Sequence, residues 1–203
     1  MPLPRFERLD PEKRRALLSV AASEFAAKGY EGASLNEILA AAGLGKSSYY
    51  YYFSDKEDLF ATILEDLLKR IDEESERPDF SKLDARTFWP ELEGWAERSV
   101  RVMARYPEIV PLSRQILLVW RAPTGRFQEL VTRAHAETRA FLEVGRRLGC
   151  IRTDIDLDWL VAIVRAADQA VDERLFKHGS PENLGEHIRV ALDTFRRLVE
   201  ARR

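Results

Sequence analysis

One cysteine, two methionines and three histidines are all that 203 residues hold of the side chains most used for redox, thiol and soft-metal chemistry. Cys150 alone builds neither an internal disulfide nor a thiolate zinc cluster. His135, His178 and His187 stand at no metal-ligand spacing, and no glycine-rich phosphate loop follows a strand. The sequence therefore predicts a protein that is not an enzyme and carries no cofactor or metal. No uncharged apolar run approaches the roughly 18 residues of a membrane span. Residues 1–10 place charges and prolines where a signal peptide needs an apolar stretch. A reducing compartment, the cytoplasm, is the expected location. Charge of one sign is missing too: 32 basic residues face 34 acidic ones, a net charge of −2. Any contact with nucleic acid has to be local.

What the chain does have is helical periodicity. No segment alternates with period two, so the fold class is all-α, about nine helices. Leu17, Leu18, Ala21, Ala22 and Phe25 mark one face of a helix opened by Asp10-Pro11 and stopped by Gly29. Ser34 and Glu37 have the spacing of a capping box, in which each side chain satisfies a backbone N–H at the start of the next helix. Gly43, Leu44 and Gly45 form a tight turn, and a third short helix follows. It contains Tyr49, Tyr50, Tyr51 and Tyr52, four of the six tyrosines, closed by Phe53. Rings on every side of a helix are not a core pattern. Tyr49 and Phe53, four apart, are expected to pack inward, and Tyr52 to brace the third helix. Lys46, Ser47, Tyr50 and Tyr51 fall on the outer side. Ser54-Asp55 caps a longer helix from about Lys56 to Glu76.

Helix, glycine turn and helix over residues 34–53 make an arrangement whose second helix fits the DNA major groove. Gly29, Ser34, Ala42-Gly43-Leu44, Lys46, Ser48, Tyr50, Tyr52-Phe53, Lys56 and Leu59 resemble, in register, the DNA-binding segment of tetracycline-repressor-like (TetR-family) transcriptional regulators. The resemblance spans about Pro11 to Ile71. It implies an N-terminal arm over 1–10, a three-helix helix-turn-helix DNA-binding domain over 11–71, and a helical ligand-binding and dimerisation domain over 72–203. It also implies DNA contacts from Ser34, Lys46, Ser47, Ser48, Tyr50, Tyr51 and Lys56, with Lys56 as a phosphate anchor. Gly45 stands where the family usually has a hydroxyl cap. Between Lys28 and Lys56, three basic residues meet three acidic ones, so a shallow salt dependence is expected for each subunit.

Beyond residue 72 the helices carry Trp95, Met103, Trp120 and Phe127 as large apolar groups. In the family this region encloses a small-molecule pocket, and His135, Thr138, Arg139 and Asp168 are its polar candidates. Aromatics at helical spacing also suit an ordinary core. Asp168 suits a cavity, a partner subunit or water equally. The last two helices carry apolar residues beyond one stripe, as a four-helix homodimer interface requires. The expected partners are a palindromic double-stranded DNA operator, a second copy of the chain and a small-molecule effector, with no membrane. A regulator, most simply a repressor released by its effector, is the expected function. The alternative is a helical small-molecule or protein-binding module that never touches DNA.

Overall fold

The computed structural model describes residues 4–45, 50–106, 108–120, 125–178 and 184–201. Its α-helices are α1 (Pro4–Glu7), α2 (Pro11–Gly32), α3 (Leu35–Ala41), α4 (Lys56–Glu74), α5 (Phe88–Met103), α6 (Ile109–Trp120), α7 (Gly125–Arg147), α8 (Leu157–His178) and α9 (Leu184–Val199). Residues 50–52 are helical as well. Among the described residues, the extended pairing is a single antiparallel bridge between Ile151 and Glu200.

The chain folds into two compact units, Met1–Arg70 with Glu108–Leu130, and Ile71–Pro107 with Val131–Arg203. The first boundary falls between Arg70 and Ile71. Taking Glu108–Leu130 into the first unit was not expected, because hydrophobic periodicity does not show which distant helix a stripe meets. Here α6 packs on α2, and the Tyr30 N–H donates to Gln115 Oε1 at 3.2 Å. The boundaries fall inside α4 and α7, so each of these helices contributes residues to both units.

In unit 1, α2 starts as its sequence requires: Asp10 accepts from the N–H groups of Glu12 and Lys13 at 3.0 and 3.2 Å. Gly29 breaks it with φ +74°, a conformation that costs other residues a steric clash. The buried face of α2 (Leu17, Leu18, Ala21, Ala22, Phe25) belongs to a core that includes Ile38, Leu39, Leu59, Phe60 and Ile63. Asp55 accepts from the Asp58 N–H at 2.8 Å and Asp58 accepts from the Ser54 N–H at 3.2 Å, so the start of α4 is capped from both sides.

Residues 4–10 are more than the arm that the resemblance implies. Phe6, in α1, is buried, with its ring centroid 4.8 Å from that of Phe53 and 6.3 Å from that of Tyr52. One aromatic near a chain end has no periodic partner in the sequence to reveal it.

Unit 2 is built around Phe88, Trp89, Leu92, Leu142, Ile151, Leu160, Val164 and Val199. Cys150 is buried in the same cluster, and desolvation, then Glu200 and Asp84, push its thiol pKa up. That is the setting of an inert structural thiol.

Candidate functional site

Unit 1 carries the helix-turn-helix. The Leu44 N–H bonds to the Leu39 carbonyl at 2.8 Å and the Gly43 N–H to that of Ala40 at 3.1 Å, closing α3 in a Schellman motif. Gly43 sits at φ +69°, with open space where a Cβ would be. Backbone conformation, not crowding, therefore calls for glycine there. The other end of α3 differs from its expected form. Ser34 Oγ accepts from the Glu37 N–H at 3.4 Å, but the Ser34 N–H goes to Glu24 Oε1 at 3.1 Å. The reciprocal half of the expected capping box is thus made by α2. Glu37 is held by Lys28 instead, and Lys28 also pairs with Glu24 at 2.9 Å. The Lys28 ammonium, then the Ser34 N–H, hold the Glu24 carboxyl below its ordinary pKa.

Lys46, Ser47, Ser48 and Tyr49 lie outside the described residues. The rest of the tyrosine run divides by face. Phe53 is 1% exposed and Tyr52 half-buried, whereas Tyr50 and Tyr51 are 75% and 51% exposed. Lys56 is more constrained than a solvated helix residue: its Nζ donates to the Glu31 carbonyl at 3.0 Å and lies 5.3 Å from the Tyr30 ring centroid. Sequence reasoning missed Arg5. Its guanidinium carbon stands 3.8 Å from the Tyr51 ring centroid, so a cation from α1 joins the exposed tyrosine face.

Unit 2 contains a cavity of about 730 Å³. Phe80, Trp95, Phe141 and Phe195 supply aromatic wall, and Arg77, Glu137, Thr138 and Asp168 are among its polar groups. Of the expected pocket residues, Trp95, Thr138 and Asp168 line this cavity. Met103, Phe127, His135 and Arg139 are not part of that lining. Met103 is half-buried elsewhere. Phe127 is buried in unit 1, its ring centroid 5.9 Å from that of Phe60. Arg139 pairs with Asp158, and His135 Nε2 is buried with no hydrogen-bond partner among the described residues. The side chain of Trp120 lies outside the described residues. The reason is helical register: the cavity stripe of α7 runs through Ala134, Thr138, Phe141 and Val144. His135 and Arg139 stand one residue beyond stripe members, about 100° round the helix. That stripe was readable from spacing alone, and Phe141 with it.

Several of the cavity's donors are bonded within the protein. Arg77 bonds to Asp72 at 2.8 Å and to Glu137 at 3.0 Å, the Trp95 indole N–H donates to Ser75 Oγ at 2.8 Å, and the Thr138 hydroxyl donates to the Ala134 carbonyl at 2.9 Å. Asp168 is exposed on α8, with Arg165 one turn earlier.

Comparison with known proteins agrees with this arrangement. The family described as "Bacterial regulatory proteins, tetR family" matches residues 17–63. The HTH-type transcriptional repressor SCO4008 of Streptomyces coelicolor is 31% identical over 173 residues, 80% of each chain. An uncharacterized HTH-type transcriptional regulator of Bacillus subtilis, YdgC, is 40% identical over 60 residues; the match spans 30% of this chain and 31% of that one. Among solved structures, a TetR-family regulator from Mesorhizobium loti superposes with a TM-score of 0.63 at 23% identity, covering 97% of this chain and 99% of the other. TylP from Streptomyces fradiae gives 0.68 at 17% identity, covering 94% and 87%.

Proposed function

This chain belongs to the TetR family of bacterial regulatory proteins, and we propose that it acts as a homodimeric repressor that leaves a palindromic operator when a small molecule fills the unit 2 cavity. It is a DNA-binding transcriptional regulator, not an enzyme. The observation that carries the finer reading is the division of the tyrosine run. Two phenols face outward next to a buried Phe53, on a helix held by the Schellman turn of α3. A phenol on such a face packs against sugar or a thymine methyl and bonds to phosphate through its hydroxyl.

Tyr50 and Tyr51 form the centre of the contact surface, and Lys46, Ser47 and Ser48, which precede them in the sequence, are assigned to it by the resemblance to the family. Ser34 adds a hydroxyl at the α3 N-terminus, where helix N–H groups favour phosphate. Lys56 anchors a phosphate while its stem stays fixed by Glu31 and Tyr30. Arg5 adds positive charge that the segment from Lys28 to Lys56 lacks.

One such face is not enough. Two copies joined through α8 and α9 would place recognition helices about 34–36 Å apart, one turn of DNA. Apolar surface on these helices supports that pairing: Trp159, Ile163 and Val190 are 69%, 38% and 60% exposed. The name of the S. coelicolor relative supports repression. A ligand changes operator affinity only through unequal affinity for the two states of the dimer. Helices α4 and α7, which contribute to both units, are the elements we assign to carry the change. A coupling of about 1–3 kcal/mol would lower operator affinity roughly 5- to 150-fold. Among the described residues no helix is long and apolar enough to cross a membrane; we place the regulator in the cytoplasm, with its operator.

The test is an anisotropy titration of the dimer against the DNA upstream of its own gene. A sequence-selective, salt-sensitive complex is expected, and Lys56→Ala should weaken it equally for all sequences while flattening the salt dependence. Absence of a selective complex would overturn the reading.

A further inference from the structure

We propose that Trp95 is the residue through which occupancy of the unit 2 cavity reaches α4: its ring lines the cavity, and its indole N–H fastens the end of that helix. The inference rests on the reading of this cavity as the effector site and names the contact by which a filled cavity would act.

The turn that closes α4 depends on its surroundings. Past Glu74, the Glu76 N–H bonds to the Glu73 carbonyl at 3.2 Å and the Arg77 N–H to that of Asp72 at 2.9 Å, which is a Schellman motif. The left-handed position of such a motif usually holds glycine; here it is Glu76, at φ +53°. Among the described residues no other non-glycine residue has a positive φ, and the conformation presses its Cβ toward the following carbonyl. Strain of this kind persists only where neighbouring groups impose it.

Those neighbours belong to the cavity wall. Trp95, on α5, lines the cavity and donates its indole N–H to Ser75 Oγ at 2.8 Å. Ser75 is fully buried, and its hydroxyl donates in turn to the Asp72 carbonyl at 3.5 Å. One turn on from Trp95, Arg98 donates to the carbonyls of Ser75 and Glu76 at 2.7 and 3.2 Å. Phe80 meets the Trp95 ring edge-on, with centroids 5.9 Å apart, and the Arg77 guanidinium carbon stands 5.3 Å from its centroid. Arg77 also joins the cavity to Asp72, but its side chain is 36% exposed, so those ion pairs are shared with water. All of these residues belong to unit 2.

Trp95 therefore has two roles at once. Its ring is apolar wall against which a ligand packs, and its N–H is bonded to a buried group, a bond that is costly to leave unmade. A ligand that displaces the ring has to stretch or break the bond to Ser75, and the turn at Glu76 then loses one of its supports. The helix so released is the one that opens with Lys56, 19 residues and so about 28 Å long. Trp95 is a positioning residue: it touches effector and helix, not DNA.

The test fills the cavity without the effector. Cys150, the single cysteine of the chain, is buried. Ala134→Cys, at a half-buried position on the cavity stripe of α7, supplies a reactive thiol, and N-phenylmaleimide on it sets one aromatic ring in the cavity. Operator affinity of the full-length protein is measured by anisotropy before and after labelling, in three backgrounds. In the first, Trp95 and Ser75 are intact; Trp95→Phe keeps a ring and removes the N–H; Ser75→Ala removes the same bond and keeps the indole. Labelling should lower affinity about fivefold or more in the intact background and less than about twofold in each variant. A label effect retained in either variant would overturn the proposal, yet leave the cavity as the effector site. If labelling changes nothing in the intact background, the cavity reading falls and this inference with it. A Trp95→Phe protein that does not fold leaves Ser75→Ala to decide.

Discussion

The Arg5 guanidinium carbon lies 3.8 Å from the centroid of the Tyr51 ring. Tyr51 is 51% exposed, so the pair sits on the surface proposed to meet DNA. The stack fixes the direction of a long side chain before DNA arrives, and this reduces the entropy lost on binding.

Arg5→Ala is therefore expected to weaken operator binding about fivefold per subunit at physiological salt and to lower the salt slope by about 0.9 per subunit, the signature of one phosphate contact. Arg5→Lys keeps the charge but stacks less well, and should restore most of the slope. Anisotropy titrations across a salt series measure both. A slope unchanged by Arg5→Ala would mean that Arg5 touches no phosphate.

Phe6 is the anchor that holds Arg5 there. It is 2% exposed and packed on Phe53 and Tyr52. Replacing a buried Phe by Ala costs about 3–5 kcal/mol, so Phe6→Ala should lower the urea midpoint substantially. Phe6→Leu, closer in volume, should cost about 1.5 kcal/mol or less. If Phe6→Ala unfolds at the native midpoint, α1 contributes nothing to the core of unit 1.

Val190 tests the dimer. It is 60% exposed on α9, which packs on α8, where Trp159 and Ile163 are also exposed. Val190→Glu should leave the fold intact and shift the mass measured by light scattering from dimer to monomer. Operator affinity should fall with it, because a monomer engages one half-site. A charged variant that stays dimeric would place the interface away from Val190.

The local features of the site were legible in the sequence because they depend on neighbours in the chain. The Asp10 cap, the break at Gly29 and the turn at Gly43 are all fixed by residues fewer than six positions apart. The inward Phe53 and outward Tyr50 and Tyr51 follow from helical register alone. What escaped depends on distant partners. Glu24 takes the Ser34 N–H from across a loop, Phe6 reaches Phe53, and Glu108–Leu130 joins the first unit. In the second unit, Thr138 of α7 lines the cavity, while Arg139, the next residue, pairs with Asp158.

Arg126 carries the last prediction, and nothing local in the sequence announces it. Its side chain is 10% exposed and lies 3.5 Å from Asp58 Oδ1 and 2.5 Å from Glu65 Oε2, while its backbone N–H donates to Glu57 Oε1 at 2.7 Å. All three acids belong to α4, so one arginine at the start of α7 gathers charge from two turns of that helix. Truncating one partner of a buried ion pair costs about 3–5 kcal/mol, because the remaining charges stay desolvated. Arg126→Ala should lower thermal stability by that amount. The double variant Arg126→Met with Asp58→Asn should recover part of the loss, since it removes the buried Asp58 charge together with its cation. If the double variant loses the sum of the two single effects, Asp58 and Arg126 are not coupled, and the arginine side chain acts through Glu65 and Glu129.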